Sequence, residues 1–256
     1  MYSGIFDSHA HYDSEQFDED RDAVIKNIND NGVVGVINVG CDIKSSEFSV
    51  SIAKKHGFFY CAVGIHPNEV EDIDGDYLEK IAVLASQQKV VAIGEIGLDY
   101  HYDSTLRDVQ KRVFEHQLQL ANELNMPVII HSREATLDTQ VLLKKYKPRG
   151  VVHCFSSSKE IAKEDIDAGL YIGFTGVCTF NNAKTILEVI KITPLERILL
   201  ETDCPYMAPV PFRGQRTTSD MIAKTAETIA KIKGIDTQKL IDLATINTRT
   251  LFNINQ

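Results

Sequence analysis

Short runs of apolar and β-branched residues recur along the whole chain, and they restrict it to few folds. They occupy residues 5–6, 33–39, 58–65, 90–96, 128–130, 151–152, 170–174 and 198–200. Continuous runs of this length are the pattern of strands buried on both faces, as in a parallel sheet. Between them apolar residues fall at helical spacing: Ile25/Ile28 before Gly32, Phe48/Ile52 before Gly57, and Leu78/Ile81/Ala85. The series continues with Phe114/Leu118/Ala121 before Asn125-Met126-Pro127, Ile161/Ala162 before Gly169, and Ile186/Ile190 before Pro194. The glycine or proline after all of these stretches but Leu78/Ile81/Ala85 is a helix stop signal. About eight strand–helix units predict an α/β fold of the (β/α)8 TIM-barrel class, which typically needs about 250 residues. The chain has 256. An open doubly wound sheet is the competing arrangement. Beyond Ser219, Ile222/Ala226/Ile229 and Leu240/Leu243/Ala244, running to Phe252, predict extra C-terminal helix. No repeat, linker or low-complexity stretch divides the chain, so a single domain over residues 1–256 is expected.

Composition narrows the function classes. No apolar run approaches the ~18 residues of a membrane span, and the acidic N-terminal region lacks the basic start of a signal peptide. The five cysteines, Cys41, Cys61, Cys154, Cys178 and Cys204, are odd in number and scattered, without a CxxC pair. That usage fits buried thiols in a reducing cytoplasm and argues against a structural zinc ribbon. The net charge is −9, whereas a protein gripping long duplex nucleic acid by electrostatics alone is basic. A polyanionic substrate must therefore be held locally, by metal ions and a few arginines.

The residues that end the strands carry the chemical information. The first run leads into Asp7-Ser8-His9-Ala10-His11, and residues two apart in an extended chain point to the same side. His9 and His11 can thus present two imidazoles, the commonest metal-ligating side chains near neutral pH, to one point. The third run ends at His66-Pro67, the fourth carries Glu95 inside an apolar strand, and the fifth ends at His131 with Arg133 close behind. The sixth ends at His153, and the eighth at Glu201-Thr202-Asp203. In a parallel barrel all strand C-termini open on one face, where catalytic groups collect. Each residue alone has a plainer reading: His131 as a hydrogen-bonded core histidine, Glu95 as a paired interior acid. Together they are hard to dismiss, because burying unpaired ionisable groups costs several kcal/mol each. His56 and His116 read as structural or solvent-facing, and His101 and Asp103 fall in a loop where a substrate role and none are both open. Glu69, Glu71, Asp72, Asp74 and Asp76 read as a solvated acidic loop.

These blocks resemble the TatD family of metal-dependent deoxyribonucleases, within the amidohydrolase-like barrel metalloenzymes. The resemblance rests on Asp7-Ser8-His9-Ala10-His11, Gly64-Ile65-His66-Pro67, the segment from Gly94 to Tyr100, and that from Pro127 to Arg133. It extends through His153-Cys154-Phe155-Ser156, the segment from Leu200 to Pro209, and Arg213-Gly214-Gln215-Arg216. The resemblance implies two divalent ions, one held by His9, His11 and Asp203, the other by His131 and His153. Glu95 bridges them, in a place that a modified lysine takes in some wider relatives. It also implies a DNA substrate, single-stranded or at ends, cut in the 3′→5′ direction. Two departures stand out: Gln215-Arg216-Thr217 where the family commonly has Lys-Arg-Asn, and Ser157 where it usually has glycine. Neither touches an implied metal ligand, and both bear on substrate preference.

The expected chemistry is metal-dependent hydrolysis, with a water or hydroxide between two cations about 3.5–4 Å apart as nucleophile. Asp203 orients that water and collects its proton, with Glu95 at the same centre and His66 serving the scissile group. Arg133, Arg213 and Arg216 are candidate phosphate contacts, and Tyr100 and Tyr206 candidate stacking surfaces for a base. Imidazole ligands favour Zn²⁺, Mn²⁺ or Ni²⁺, while family behaviour also implies Mg²⁺ or Mn²⁺. Neither a membrane nor an obligate protein partner is indicated. A first alternative keeps the metals and changes the bond to an ester or amide, such as the linkage of a D-aminoacyl-tRNA. A second is a non-catalytic metal-binding protein, in which the ions only stabilise the fold.

Overall fold

Every one of the eight runs forms a strand, and the strands are parallel and ordered β1 to β8 as in the chain. They are β1 Ile5–Ala10, β2 Val33–Val39, β3 Phe59–Val63, β4 Val90–Asp99, β5 Val128–Arg133, β6 Gly150–Val152, β7 Tyr171–Phe174 and β8 Ile198–Leu200. The computed structural model describes residues 2–71, 73–102 and 106–255, so Asp72 and Asp103 lie outside the described residues. Helices alternate with the strands: α1 Arg21–Asp30, α2 Ile43–Lys55, α3 Tyr77–Ala85, α4 Arg107–Glu123, α5 Thr136–Tyr146, α6 Lys159–Asp167 and α7 Lys184–Ile192. The C-terminal helical addition is a pair, α8 Ile222–Lys233 and α9 Thr237–Leu251. Sequential strand order is that of the (β/α)8 class and lacks the order reversal of a doubly wound sheet. Among the described residues no helix is long and apolar enough to cross a membrane.

Three strands run further than their apolar cores suggest. β1 continues through His9 to Ala10, β4 through Leu98 to Asp99, and β5 through His131 to Arg133. Polar residues therefore sit inside the strands, and in β1 even Asp7, Ser8 and His9 are buried. Such groups persist in a core only when hydrogen-bonded.

The chain resolves into two compact units. The first comprises residues 1–38 and 154–256. Within it β1 pairs with β2, Ile5 opposite Val33, and β7 pairs with β8, Phe174 opposite Leu200. A bridge between Ala10 and Cys204 continues β1 beside the segment after β8. α9 closes this unit: Asn247 donates to the carbonyls of Leu195 and Ile198 at 2.8 and 2.9 Å, and Thr245 to that of Gly4 at 2.7 Å.

The second unit, residues 39–153, holds β3 to β6 and α2 to α5. α2 begins at a reciprocal cap between Asp42 and Ser45, which satisfies amide donors that a first helical turn leaves free. α4 reaches the strand ends through two buried glutamines one heptad apart. Gln117 accepts from the Ile65 amide at 2.8 Å and donates to the Ile65 carbonyl at 3.0 Å. Gln110 does the same for Asp99, at 3.1 and 3.0 Å. Gln117→Leu fills the same space but strands both Ile65 groups in the core. It is expected to lower the unfolding free energy by roughly 1–3 kcal/mol per orphaned group, readable as a reduced urea midpoint at unchanged m-value.

Candidate metal centre

In the first unit the parity argument for His9 and His11 holds at atomic scale. Their Nε2 atoms are 3.0 Å apart, and the Asp203 Oδ1 lies 3.6 Å from the first and 3.3 Å from the second. Asp203 reaches this position through a backbone ladder. Its amide donates to the His9 carbonyl at 2.9 Å, and the His11 amide to the Cys204 carbonyl at 2.9 Å. Asp203 adopts a left-handed conformation, φ +60°, which turns the chain after β8.

Beneath the pair, Asp7 is a buried hub. It accepts from the Thr202 hydroxyl and amide at 2.6 and 3.0 Å, the Ser219 hydroxyl at 2.6 Å and the His9 amide at 3.2 Å. Burial pushes the Asp7 carboxyl up to about 7, against the pull of these donors. Glu201 is equally buried and accepts the Cys154 amide at 2.5 Å. Gly173 leaves the room for it, since a Cβ there would lie 2.5 Å from the Glu201 carboxylate oxygens.

In the second unit Glu95 is the focus. Its Oε1 lies 2.8 Å from His131 Nδ1, 3.7 Å from His66 Nε2 and 3.9 Å from His153 Nε2. The other His131 nitrogen, Nε2, meets Asp99 Oδ2 at 3.2 Å. Burial draws the His131 imidazole down, but the hydrogen bonds to Asp99 and Glu95 outweigh it and raise it to about 9. Burial raises Asp99, yet bonds from His131, the His101 amide and Asn68 bring it to about 2. β4 and β5 approach closely beneath this group. Gly97 has φ +152°, and a Cβ on it would fall 1.9 Å from the His131 carbonyl oxygen.

Both donor sets suit a divalent cation. His9, His11 and Asp203 offer ligand atoms all within 4.8 Å of one another, and so do His66, Glu95 and His131. Ligands at ~2.1 Å from a tetrahedral ion stand ~3.4 Å apart, and the separations among His9, His11 and Asp203 bracket that value. Imidazole nitrogens beside a carboxylate are the ligand mixture of borderline ions such as Zn²⁺.

The remaining candidates divide by what already engages them. The Arg216 guanidinium is bidentate to Asp20 at 2.9 and 2.6 Å, donates to the Gln16 carbonyl and lies over the Phe17 ring. Arg213 is exposed and rests 3.7 Å above the Phe180 ring. Arg133 is exposed, with its guanidinium 5.7 Å from the Tyr102 ring centre. The Tyr100 hydroxyl donates to Asp138 at 2.7 Å, and Arg107 covers its ring at 4.5 Å. Tyr206 is 53% exposed, its amide bonded to the Asp203 carbonyl at 2.9 Å. Of the plainly structural readings, His116 accepts or donates a 2.9 Å bond with Tyr77.

Sequence patterning alone does not single out Asp99 or Asp7. A signal for Asp99 is present, because Glu95 and Asp99 share strand parity. For Asp7 there is none, since the hydroxyls it binds, on Thr202 and Ser219, lie about 200 residues away.

Comparison with known proteins agrees with this chemistry. The family described as "TatD related DNase" matches residues 6–253. The chain is 40% identical to the uncharacterized metal-dependent hydrolase YabD of Bacillus subtilis, over 98% of this chain and 100% of that one. It is 33% identical to the 3'-5' ssDNA/RNA exonuclease TatD of Salmonella typhimurium, over 98% and 99%. The crystal structure of YJJV, a TatD homolog from Escherichia coli, superposes with a TM-score of 0.94 at 30% identity, covering 100% of both chains.

Proposed function

Because the chain belongs to the TatD-related DNase family of metal-dependent hydrolases, we propose that it hydrolyses phosphodiester bonds of single-stranded DNA, acting from the 3′ end. The observation that carries this reading is the convergence of His9, His11 and Asp203, and of His66 and His131 on Glu95, in a chain so similar to a named exonuclease. One ion is assigned to His9, His11 and Asp203, and a second to His131, His153 and Glu95. Divalent ions in such positions neutralise charge building on the phosphoryl oxygens and make water more acidic.

The protein's own groups do the rest. The Asp203 carboxylate orients the attacking water and takes its proton. The Nε2 of His66 donates to the scissile group, its ring held by the Asn68 amide bonding Nδ1 at 3.1 Å. Glu95 and Asp99 orient the His131 ring from its two nitrogens, at 2.8 and 3.2 Å. That all five cysteines stay out of disulfides supports the cytoplasm as the working compartment.

End-labelled single-stranded oligonucleotides in metal-defined buffer test the reading. A ladder shrinking from the 3′ end is expected; an intact substrate alongside cleaved D-aminoacyl-tRNA overturns it.

Two further outcomes follow from the geometry. His131 is raised to about 9, so it carries a proton at neutral pH and must lose it to become a ligand. Metal uptake at pH 7 is then expected to release about one proton per chain, and affinity to rise with pH up to about 9. Indicator-dye titration during Mn²⁺ addition reads this directly. The arginines should separate as well. Arg213→Ala is expected to raise the KM for oligonucleotide about tenfold with little change in melting temperature. Arg216→Ala should lower the melting temperature instead, because it frees Asp20 and uncovers Phe17.

A further inference from the structure

Of the two tyrosines just after β4, Tyr100 is half-buried and Tyr102 exposed. Tyr100 is engaged on two sides, its hydroxyl on Asp138 and its ring under Arg107. Tyr102 is 59% exposed and has the Arg133 guanidinium at 5.7 Å and the His101 ring edge-on at 5.2 Å. These groups are tied to the candidate centre by one carboxylate. Asp99 Oδ1 accepts the His101 amide at 2.9 Å, while its Oδ2 meets His131 Nε2 at 3.2 Å. The His101 ring is anchored in turn by Glu134, at 2.6 Å. Arg133 belongs to β5, two residues beyond His131 and on the same side of the strand by parity.

An exposed tyrosine backed by a guanidinium is a platform for a flat π-system. Base stacking on aromatic side chains is tolerant of sequence, and arginine adds a cation–π contribution. In a chain of net charge −9, the cation beside this ring also offsets the repulsion a phosphodiester backbone meets elsewhere. We propose that Tyr102, with Arg133 behind it, is the surface on which a nucleobase of the single-stranded substrate stacks. This rests on the nuclease reading above and extends it. The base is gripped by its face, so discrimination among bases is weak and discrimination against a missing base is strong.

The test compares wild type, Tyr102→Ala and Tyr102→Trp on two single-stranded oligonucleotides, one normal and one with abasic sites at its 3′-terminal positions. Tyr102→Ala is expected to raise KM for the normal strand about tenfold, with kcat within about twofold and unchanged thermal melting. Tyr102→Trp keeps KM near wild type, and the abasic strand does not distinguish the three proteins. A 2-aminopurine placed near the 3′ end should be quenched on binding to wild type and Tyr102→Trp, and not to Tyr102→Ala. Equal KM values for wild type and Tyr102→Ala on the normal strand overturn the stacking role while leaving the nuclease intact. An equal loss of kcat by Tyr102→Ala on both strands overturns the stacking role in the same way. Failure of wild type to cut either strand overturns the nuclease reading and the platform with it.

Discussion

Glu95→Ala is expected to fold like the wild type and to lose metal-dependent phosphodiester hydrolysis by at least about a thousandfold. Glu95 Oε1 is the atom that His131 approaches at 2.8 Å, with His66 and His153 at 3.7 and 3.9 Å. Without it, the three imidazoles lose the carboxylate they share, and Asp99, against the far nitrogen of His131 at 3.2 Å, is the negative charge that remains beside that ring. The His131 ring also loses one of the two acceptors that orient it. Stability should change little by comparison, because removing a buried carboxylate also removes its desolvation cost, and the histidines it leaves behind can turn neutral. Metal content of the dialysed protein, measured against wild type, separates loss of the ion from loss of chemistry alone. Wild-type-like turnover of Glu95→Ala in metal-defined buffer would remove the proposed mechanism.

Asp7→Ala is expected to be the most costly single change to the fold of the first unit. Asp7 is completely buried and gathers donors from Thr202, Ser219 and the His9 amide, segments separated by about 200 residues. Truncation leaves those donors facing one another across a void, a loss of about 3–5 kcal/mol by analogy with broken buried polar networks. For a chain of this size that corresponds to a fall in melting temperature of roughly 6–20 °C. The Tyr12 hydroxyl, 2.9 Å from the Ser219 hydroxyl and donor or acceptor to it, belongs to the same network. Asp7→Asn keeps an acceptor and the side-chain volume, so it should recover a large part of the loss. Equal melting temperatures for Asp7→Ala and wild type would show that the hub contributes nothing.

Much of the architecture is legible without coordinates. Strand positions follow from short apolar runs, because a parallel strand buried on both faces has no polar alternation to obscure it. The His9/His11 pair follows from strand parity, and the remaining histidines and acids from their place at strand ends. The same patterning leaves strand ends short, since a polar residue inside β1, β4 or β5 looks like the start of a loop until its partner is known.

What the sequence by itself determined is the periodicity of the elements, their parallel order and the residue types at the end of each strand. Tertiary structure alone decided which of those residues are already engaged. It committed Arg216 to Asp20, buried Asp7 under Thr202 and Ser219, and tied the Tyr100 hydroxyl to Asp138 while leaving Tyr102 exposed. The reason is physical. Periodicity reports how a residue is buried and is written within a few positions, whereas a hydrogen-bond partner is chosen among groups that folding brings together from anywhere in the chain.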